Sequence, residues 1–307
     1  MFERTLVSIV FAVFAITANA QFLFRIDGNG LKEPSYMLGT IHSLPSSVVL
    51  DSIPEYVEVE AKCRQLYAEQ DKAGIERVTD VAKPDMFLPD GKTIGDVLNP
   101  EQFEMLKTKV KELLNKNLSP RNNLKPINFV MVFNTAFERE AINKYFNGNT
   151  GFTRIDVDCI NRAANRGLAV GHLDSYARID SLPDILGLSL DMDAQIDSLV
   201  SYLNNFDEIK QKSSDAWKII ADMMDYWIKG DFKGFSSMTG WDAFMVMNPA
   251  DLKGRNEKWI PKMMSVMNEA PTMFVFGAAH LIGKEGIIQK LRENGYKIEQ
   301  IKKEQNQ

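Results

Sequence analysis

The chain reads Met273-Phe-Val-Phe-Gly-Ala-Ala-His280 near its far end, and the same pattern occurs near its start, at Tyr36-Met-Leu-Gly-Thr-Ile-His42. In each copy a short apolar run predicts a buried strand, a Gly follows at its carboxyl end, and a His comes three residues after that Gly. Either His alone is more typical of a buried, hydrogen-bonded histidine. Because the chain has only three His, the pair indicates one shared site at the ends of two strands, where open α/β sheets bind their ligands.

The first twenty residues are typical of a signal peptide. Arg4 precedes an apolar stretch over residues 6–17, and Ala18-Asn-Ala20 has the small residues of a cleavage site. We therefore expect an exported chain, periplasmic or extracellular, that begins at Gln21 after cleavage following Ala20. No later segment has eighteen consecutive apolar residues, so we expect no integral membrane segment in the mature chain.

Size and charge limit the remaining possibilities. Residues 21–307 are enough for a single domain with a sizeable core, and no Pro/Ser-rich linker or low-complexity segment marks a boundary within them. A formal net charge of -5 argues against a nucleic-acid partner. Export would permit Cys63 and Cys159 to form a disulfide, but their spacing leaves the pairing open. Neither Cys lies in a Cys-x-x-Cys motif or beside a His, so a catalytic thiol is not expected.

The order of the predicted elements indicates an α/β fold with a mixed central sheet flanked by helices. Residues 22–28 and 35–41 predict the two strands of a hairpin. Helical periodicity dominates residues 96–235, which predicts a helical insertion in the middle of the chain. The other predicted elements are helices from Pro54 to Cys63, Pro126 to Tyr145, Ile155 to Gly167, about Glu257 to Asn268 and Ile287 to Asn294, and strands from Leu66 to Ala68, Leu168 to Val170 and Tyr296 to Ile301.

Glu69 is the candidate carboxylate for the site of the two His. It follows the strand at Leu66–Ala68 and stands 27 residues after His42, which is the length of one helix plus one strand. A βαβ unit would therefore bring the ends of these two strands side by side. A carboxylate beside imidazole is how borderline divalent metals are held. Arg255, shortly before the second His strand, is a candidate to enter the same cleft, and His172 is a minor candidate.

These residues resemble those of the TraB/GumN family, whose animal relatives are the Tiki metalloproteases. The resemblance covers nearly the whole mature chain, and its specific part is the two Gly-x-x-His segments in this order. The matching segments are Leu38-Gly-Thr-Ile-His-Ser-Leu-Pro45, the strand ending at Glu69, Leu88-Pro-Asp-Gly91, Arg154-Ile-Asp156, Gly230-Asp-Phe232, Arg255-Asn256 and Gly277-Ala-Ala-His-Leu-Ile-Gly283 with Gly295-Tyr296 behind it.

The resemblance implies an α/β core in which two related halves each bring one Gly-x-x-His to a central cleft. It also implies divalent-metal-dependent peptide hydrolysis, as in Tiki-like members. The residues implied in the site are His42, Glu69 and His280, at the positions of the family's two His and its Glu, and Arg255 and Asn256, at its Arg-Asn pair.

We therefore expect a metal-dependent hydrolase, and specifically a peptidase, that acts on a peptide or protein substrate. Mn, Co, Zn and Fe all accept two His and one carboxylate, so the ion stays open. Glu69 would complete the ligand set or act as general base toward a metal-activated water. Arg255 would stabilise negative charge on the substrate oxygen, and Asn256 would orient Arg255 or the substrate. Gly39 and Gly277 would let the chain turn or approach closely.

Two other functions are compatible with the same residues. One is a metal-free acid/base hydrolase or transferase of the erythromycin-esterase-like type, with His42 or His280 as general base and Glu69 as its partner. The other is a non-catalytic exported binding protein. The chain also departs from the family at Gly171-His-Leu-Asp-Ser175, where the family usually has Gly-Leu-Glu-Thr, so Asp174 keeps a carboxylate there on a shorter side chain.

Overall fold

The computed structural model of the chain describes most residues between 22 and 301. The described residues are 22–41, 44–45, 50, 53–81, 86–148, 152–181, 184, 189–238 and 251–301. The predicted signal peptide and His42 of the first repeat lie outside them. None of the helices in these ranges combines the length and the apolar character that a membrane-spanning helix needs.

The chain alternates strands with helices in its first and last parts and is helical in the middle. The strands are β1 (Leu23–Gly28), β2 (Ser35–Thr40), β3 (Leu44–Pro45), β4 (Gln65–Ala68), β5 (Phe152–Thr153), β6 (Ala169–His172), β7 (Thr272–Gly277) and β8 (Tyr296–Gln300). The helices are α1 (Pro54–Glu60), α2 (Lys72–Val81), α3 (Ile94–Val97), α4 (Pro100–Leu114), α5 (Pro126–Tyr145), α6 (Ile155–Asn165), α7 (Tyr176–Asp180), α8 (Met192–Asn204), α9 (Phe206–Lys229), α10 (Phe232–Ser236), α11 (Leu252–Glu269) and α12 (Ile287–Glu293).

The mixed sheet predicted from the sequence is confirmed. Its strand order is β6-β4-β7-β2-β1-β8. The first four strands in that order are mutually parallel, whereas β1 runs antiparallel to both β2 and β8. All residues of β2 and β7 are buried, as expected for central strands with both faces covered. The carboxyl ends of β6, β4, β7 and β2 therefore meet along one edge of the sheet.

The two His-containing repeats lie in neighbouring strands. β2 and β7 pair in parallel from Tyr36 opposite Met273 to Thr40 opposite Gly277. Gly39 is thus paired with Phe276, the residue before Gly277. The expectation that β2 and β4 would be adjacent is wrong, because β7 pairs with both and lies between them. β7, the strand of the second repeat, therefore lies beside β2 in the place where the prediction put β4.

The helical insertion is also confirmed, and it has a hydrophobic core of its own. Helix α4 begins at a capping box in which the Asn99 side chain accepts a hydrogen bond from the backbone of Gln102. Helix α5 begins at Pro126 as predicted. Aromatic and aliphatic side chains of α3, α4, α5, α8 and α9 form this second core, which includes Ile94, Leu106, Phe133, Phe137, Leu199 and Phe206.

Helix α11 begins five residues earlier than predicted, and this difference matters for the site. The Asp251 side chain accepts a hydrogen bond from the backbone N–H of Gly254, so the helix starts at Leu252 rather than at Glu257. Arg255 and Asn256 consequently lie inside the helix, on its buried face. A helix positions side chains more rigidly than an irregular segment before it would, because the helix backbone has little freedom.

Candidate functional site

The structure brings the predicted residues Glu69, His280 and Arg255 together with Asp174 at the carboxyl edge of the parallel strands. Glu69 directly follows β4, and Asp174 lies two residues after the end of β6. His280 lies in a 3-10 turn, Ala278–Leu281, that follows β7. Helix α11 contributes Arg255, which bonds to Glu69 and Asp174 at this edge. The sheet topology thus gathers residues that are up to 211 positions apart in the sequence, counted from 69 to 280.

Arg255 joins two carboxylates at the centre of the site. Its Nε donates to Asp174 Oδ1 at 3.0 Å, and its Nη2 donates to Asp174 Oδ2 at 2.9 Å and to Glu69 Oε2. Burial alone would lower the pKa of the Arg255 guanidinium, but the carboxylates of Glu69 and Asp174 raise it above its usual value. Arg255 is therefore a permanent cation that fixes the position of the Glu69 side chain.

Asp174 accepts hydrogen bonds on both of its oxygens from several sides. Trp259 Nε1 donates to Oδ1 at 2.9 Å, and Gln70 Nε2 donates to Oδ2 at 3.1 Å. The guanidinium carbon of Arg255 lies 4.6 Å from the centre of the Trp259 ring, within cation–π range. Asp174 is buried. The Asp174 carboxylate thus accepts hydrogen bonds from three neighbouring side chains, those of Arg255, Trp259 and Gln70.

The ring of His280 has a defined orientation and tautomer. Asn256 Nδ2 donates to the carbonyl oxygens of His280, at 3.3 Å, and Glu285, at 2.8 Å. Asn256 Oδ1 therefore faces His280 Nδ1, at 2.6 Å. Since Oδ1 can only accept, Nδ1 carries the proton, and in the neutral ring Nε2 is the unprotonated nitrogen. The Trp259 ring stacks on this imidazole with centroids 4.2 Å apart.

The unprotonated nitrogen of His280 faces Glu69. Nε2 lies 3.9 Å from Glu69 Oε1, and the two side chains are 2% and 15% exposed. Oε1 also accepts a hydrogen bond from the backbone N–H of Gly277 at 2.7 Å. Two acceptor atoms that face each other in a largely dry place favour a positive charge between them, either a metal ion or a proton.

The donor set of this pair suits a divalent metal ion. A separation of 3.9 Å is within the reach of two ligand bonds of about 2.1 Å each. The hydrogen bond from Nδ1 of His280 to Asn256 is the outer contact that commonly orients a metal-binding imidazole. Within the described residues no group of three His, Cys, Asp or Glu is arranged to hold a metal. The third ligand of the predicted set, His42, lies outside those residues.

The two glycines of the repeats occupy different environments. A Cβ on Gly39 would lie 2.4 Å from the Leu281 side chain and 3.1 Å from the backbone of Ala278, so the 3-10 turn packs directly against this strand. The carbonyl oxygen of Gly39 accepts a hydrogen bond from Trp227 Nε1 at 2.7 Å. Gly277 ends β7 and donates its N–H to Glu69.

A second hydrogen-bonded cluster lies at the end of β6. His172 Nδ1 is 3.0 Å from Asp71 Oδ2, and the Tyr176 hydroxyl donates to the same oxygen at 3.0 Å. The backbone N–H of Gly74 donates to Asp71 Oδ1. Burial acts to raise the pKa of Asp71, but these hydrogen bonds hold it below its usual value. His172, the minor candidate, is thus a hydrogen-bonded histidine outside the cluster of Arg255 and Glu69.

The two cysteines are free thiols. Both Cys63 and Cys159 are buried and unpaired, which answers the question that their spacing left open. Burial raises the pKa of the Cys63 thiol to about 12 and raises that of Cys159 as well. Neither thiol has the low pKa that a nucleophilic cysteine needs.

Sequence reasoning missed Trp259, which supports the site, and Asp71 and Tyr176, which form the neighbouring cluster with His172. Trp259 follows Arg255 by four residues, a helical spacing that would have placed both on one face had the helix been started at its Asp251 cap. Asp71 and Tyr176 gave no comparable signal, because their contact with His172 depends on the pairing of β4 with β6.

The comparisons with known proteins agree with the resemblance in the sequence. The sequence profile described as the TraB/PrgY/gumN family matches residues 22–300. No curated protein and no solved structure gives a significant match. The matched region includes every strand of the sheet and all the described residues of the site. The chain therefore belongs to the TraB/PrgY/gumN family.

Proposed function

We propose that the chain is a metal-dependent hydrolase of peptide bonds in which His42 and His280 bind the metal and Glu69 is either the third ligand or the general base. The observation that carries the proposal is the arrangement of His280, whose Nδ1 is held by Asn256 while its Nε2 faces Glu69 Oε1 at 3.9 Å. A bound divalent ion would supply Lewis acidity and lower the pKa of a water molecule toward neutrality.

The residues of the chain have separate roles in this proposal. Glu69 either completes the ligand set through Oε1 or, as general base, accepts through that oxygen the proton of the attacking water, while its Oε2 stays paired with Arg255. Asn256 keeps His280 in the tautomer that offers Nε2. Arg255 acts through Glu69, since its Nε and Nη2 donate to the two carboxylates, and we therefore assign it a positioning role. Trp259 stacks on the His280 ring and Phe276 lies edge to face with it, and the buried imidazole is thereby shielded from water.

The metal assignment is tested with the three histidines of the chain. Metal-reconstituted protein that begins at Gln21 should hold about one equivalent of metal, and His42→Ala and His280→Ala should lose it. His172→Ala is the matched control, because His172 bonds to Asp71 and should leave the metal content unchanged. Wild-type metal content in the folded His42→Ala and His280→Ala variants would refute the ligand set.

Peptide hydrolysis is tested with a peptide-library screen in the presence of Mn, Co, Zn or Fe ions. We expect cleavage that a chelator abolishes and that Glu69→Gln lowers by at least about a hundredfold, the range typical of a lost general base. Absence of cleavage with every ion would refute the hydrolase.

A metal-free acid/base hydrolase is the second candidate function. The 3.9 Å between His280 Nε2 and Glu69 Oε1 is also suited to proton transfer through one intervening water. Cleavage that persists fully in excess chelator would favour this candidate over the metal-dependent one.

Export is proposed on the strength of residues 1–20. Amino-terminal sequencing of the protein recovered from periplasmic and extracellular fractions should give Gln21 as the first residue. A start at Met1 in those fractions, or retention of all protein in the cytoplasm, would contradict it.

A further inference from the structure

A cavity of about 540 Å³ lies beside the pair of Arg255 and Asp174. One wall is helix α11, where Lys258 and Lys262 follow Arg255 at helical spacing and line the cavity with it. The other wall is the segment after β6, including Arg178. The volume lies within the range of about 300–1,000 Å³ that is usual for small-ligand pockets.

The lining of this cavity carries more positive than negative charge. Its four cationic side chains are Arg178, Arg255, Lys258 and Lys262, and its two acidic ones are Asp174 and Asp251. The carboxylate of Asp174 already forms an ion pair with Arg255. The carboxylate of Asp251 caps α11 by accepting the N–H of Gly254. The excess of cations stands out in a chain whose formal net charge is -5.

Among the described residues, the two lysines are the cations of this cavity that form no ion pair. In the described part of the chain, no carboxylate lies within ion-pairing distance of the Lys258 or Lys262 ammonium group. Lys262 is half-buried beside Tyr67, with Nζ 6.0 Å from the centre of that ring. Burial lowers the pKa of Lys262, against the opposing effect of Asp71 and Asp174. A partly desolvated ammonium group without a paired anion is stabilised when a ligand supplies one.

We propose that this cavity binds a carboxylate group of the substrate through Lys258 and Lys262. The hydrolase would then prefer peptides with an acidic side chain, or a free carboxyl terminus, close to the bond that is cleaved. The inference rests on the proposed function, because Arg255 and Asp174 belong to both the cavity and the site of Glu69.

The test measures binding separately from cleavage. A fluorescently labelled octapeptide of Ala and Ser with one central glutamate is compared with its glutamine counterpart, each made as the carboxyl-terminal acid and as the amide. Affinity is measured by fluorescence anisotropy at low salt in excess chelator, and mass spectrometry verifies that the peptide stays intact. The four peptides distinguish a side-chain carboxylate from a terminal one.

The variants are Lys258→Gln, Lys262→Gln and the double replacement. Lys253→Gln is the matched control, since Lys253 is on the same helix, lies against Glu257 at 3.9 Å and is exposed. We expect one carboxylate-bearing peptide to bind about tenfold more tightly than its neutral counterpart, the effect of one charge-assisted contact. The preference should fall below about twofold in the double variant and persist in Lys253→Gln and in Lys262→Arg.

Equal affinities for all four peptides, or a preference that survives the double replacement in a folded protein, would overturn the inference. Its failure is distinct from failure of the proposed function. Selective binding without any cleavage would refute the hydrolase and leave the carboxylate site standing. Cleavage of neutral and acidic peptides at equal rates, with equal affinities, would refute the carboxylate site and leave the hydrolase standing.

Discussion

Replacement of Asp174 by Asn tests whether the buried ion pair with Arg255 stabilises the fold. The change keeps the volume of the side chain but replaces one oxygen by an amide nitrogen. Oδ1 accepts from Arg255 and Trp259, and Oδ2 accepts from Arg255 and Gln70. In either orientation of the new amide, its nitrogen therefore opposes two N–H donors.

The expected cost follows from burial. The side chains of Arg255 and Asp174 are 10% and 5% exposed, so the lost charge leaves the guanidinium with Glu69 as its remaining carboxylate in the site. Loss of one partner of a buried pair costs about 3–5 kcal/mol. The adjoining cavity lets water reach the unpaired donors, so we expect about 3 kcal/mol, the lower end of that range. With a urea m-value of about 3 kcal/mol/M, the unfolding midpoint should fall by about 1 M.

The assay is urea unfolding of the chain from Gln21, followed by tryptophan fluorescence and circular dichroism. Asp180→Asn is the matched control, because its bidentate pair with Arg77 is exposed and its loss should not shift the midpoint measurably. Arg255→Met combined with Asp174→Asn should cost at least about 1 kcal/mol less than the sum of the single changes. A midpoint for Asp174→Asn equal to that of Asp180→Asn, or strict additivity in the double variant, would refute the reasoning.

Three further outcomes are expected. Gly39→Ala should lower the free energy of unfolding by about 1–3 kcal/mol, because its Cβ would meet Leu281 at 2.4 Å, and an unchanged melting temperature would contradict this packing. Trp227→Phe removes a buried hydrogen bond to the Gly39 carbonyl and should cost about 1–3 kcal/mol in the same assay, where a neutral effect would count against that bond. The pKa of Cys63 is raised to about 12, so the thiol keeps its proton in the folded chain. An unfolded chain would lose that proton near pH 8.5, the pKa of a free thiol. The contribution of Cys63 to stability is therefore present below about pH 8.5 and is lost as the pH rises toward 12. Iodoacetamide should therefore leave Cys63 unlabelled in the native chain at pH 8, and the alkaline loss of stability should be smaller in Cys63→Ala.

Local structure was predictable wherever one short segment carried the signal. The hairpin of β1 and β2 and the start of α5 at Pro126 follow from turn and cap residues that act on their own neighbours. The start of α11 was misplaced because Gly254 weakens the helical pattern, whereas the Asp251 cap restores it. Such errors shift an element by a turn without changing its type.

The arrangement of the site was only partly predictable. The sequence indicated that Glu69 and His280 share a site, because strand ends are where α/β sheets gather polar residues. It wrongly placed β2 next to β4, since the pairing of β7 with both strands depends on contacts between distant segments. For the same reason the contact of Asp71 with His172 was missed.

The position of β7 has a consequence for how the chain acquires its structure. A ribosome completes β2 and β4 more than 200 residues before it reaches Thr272, counted from Ala68. Until then each of those early strands has an unpaired edge where the late strand belongs, and such edges invite pairing with other chains. Folding must therefore wait for the last segments, and pairing over so long a separation is slow. Carboxyl-terminal truncations that remove residues 272–277 should consequently aggregate rather than fold into a smaller version of the protein.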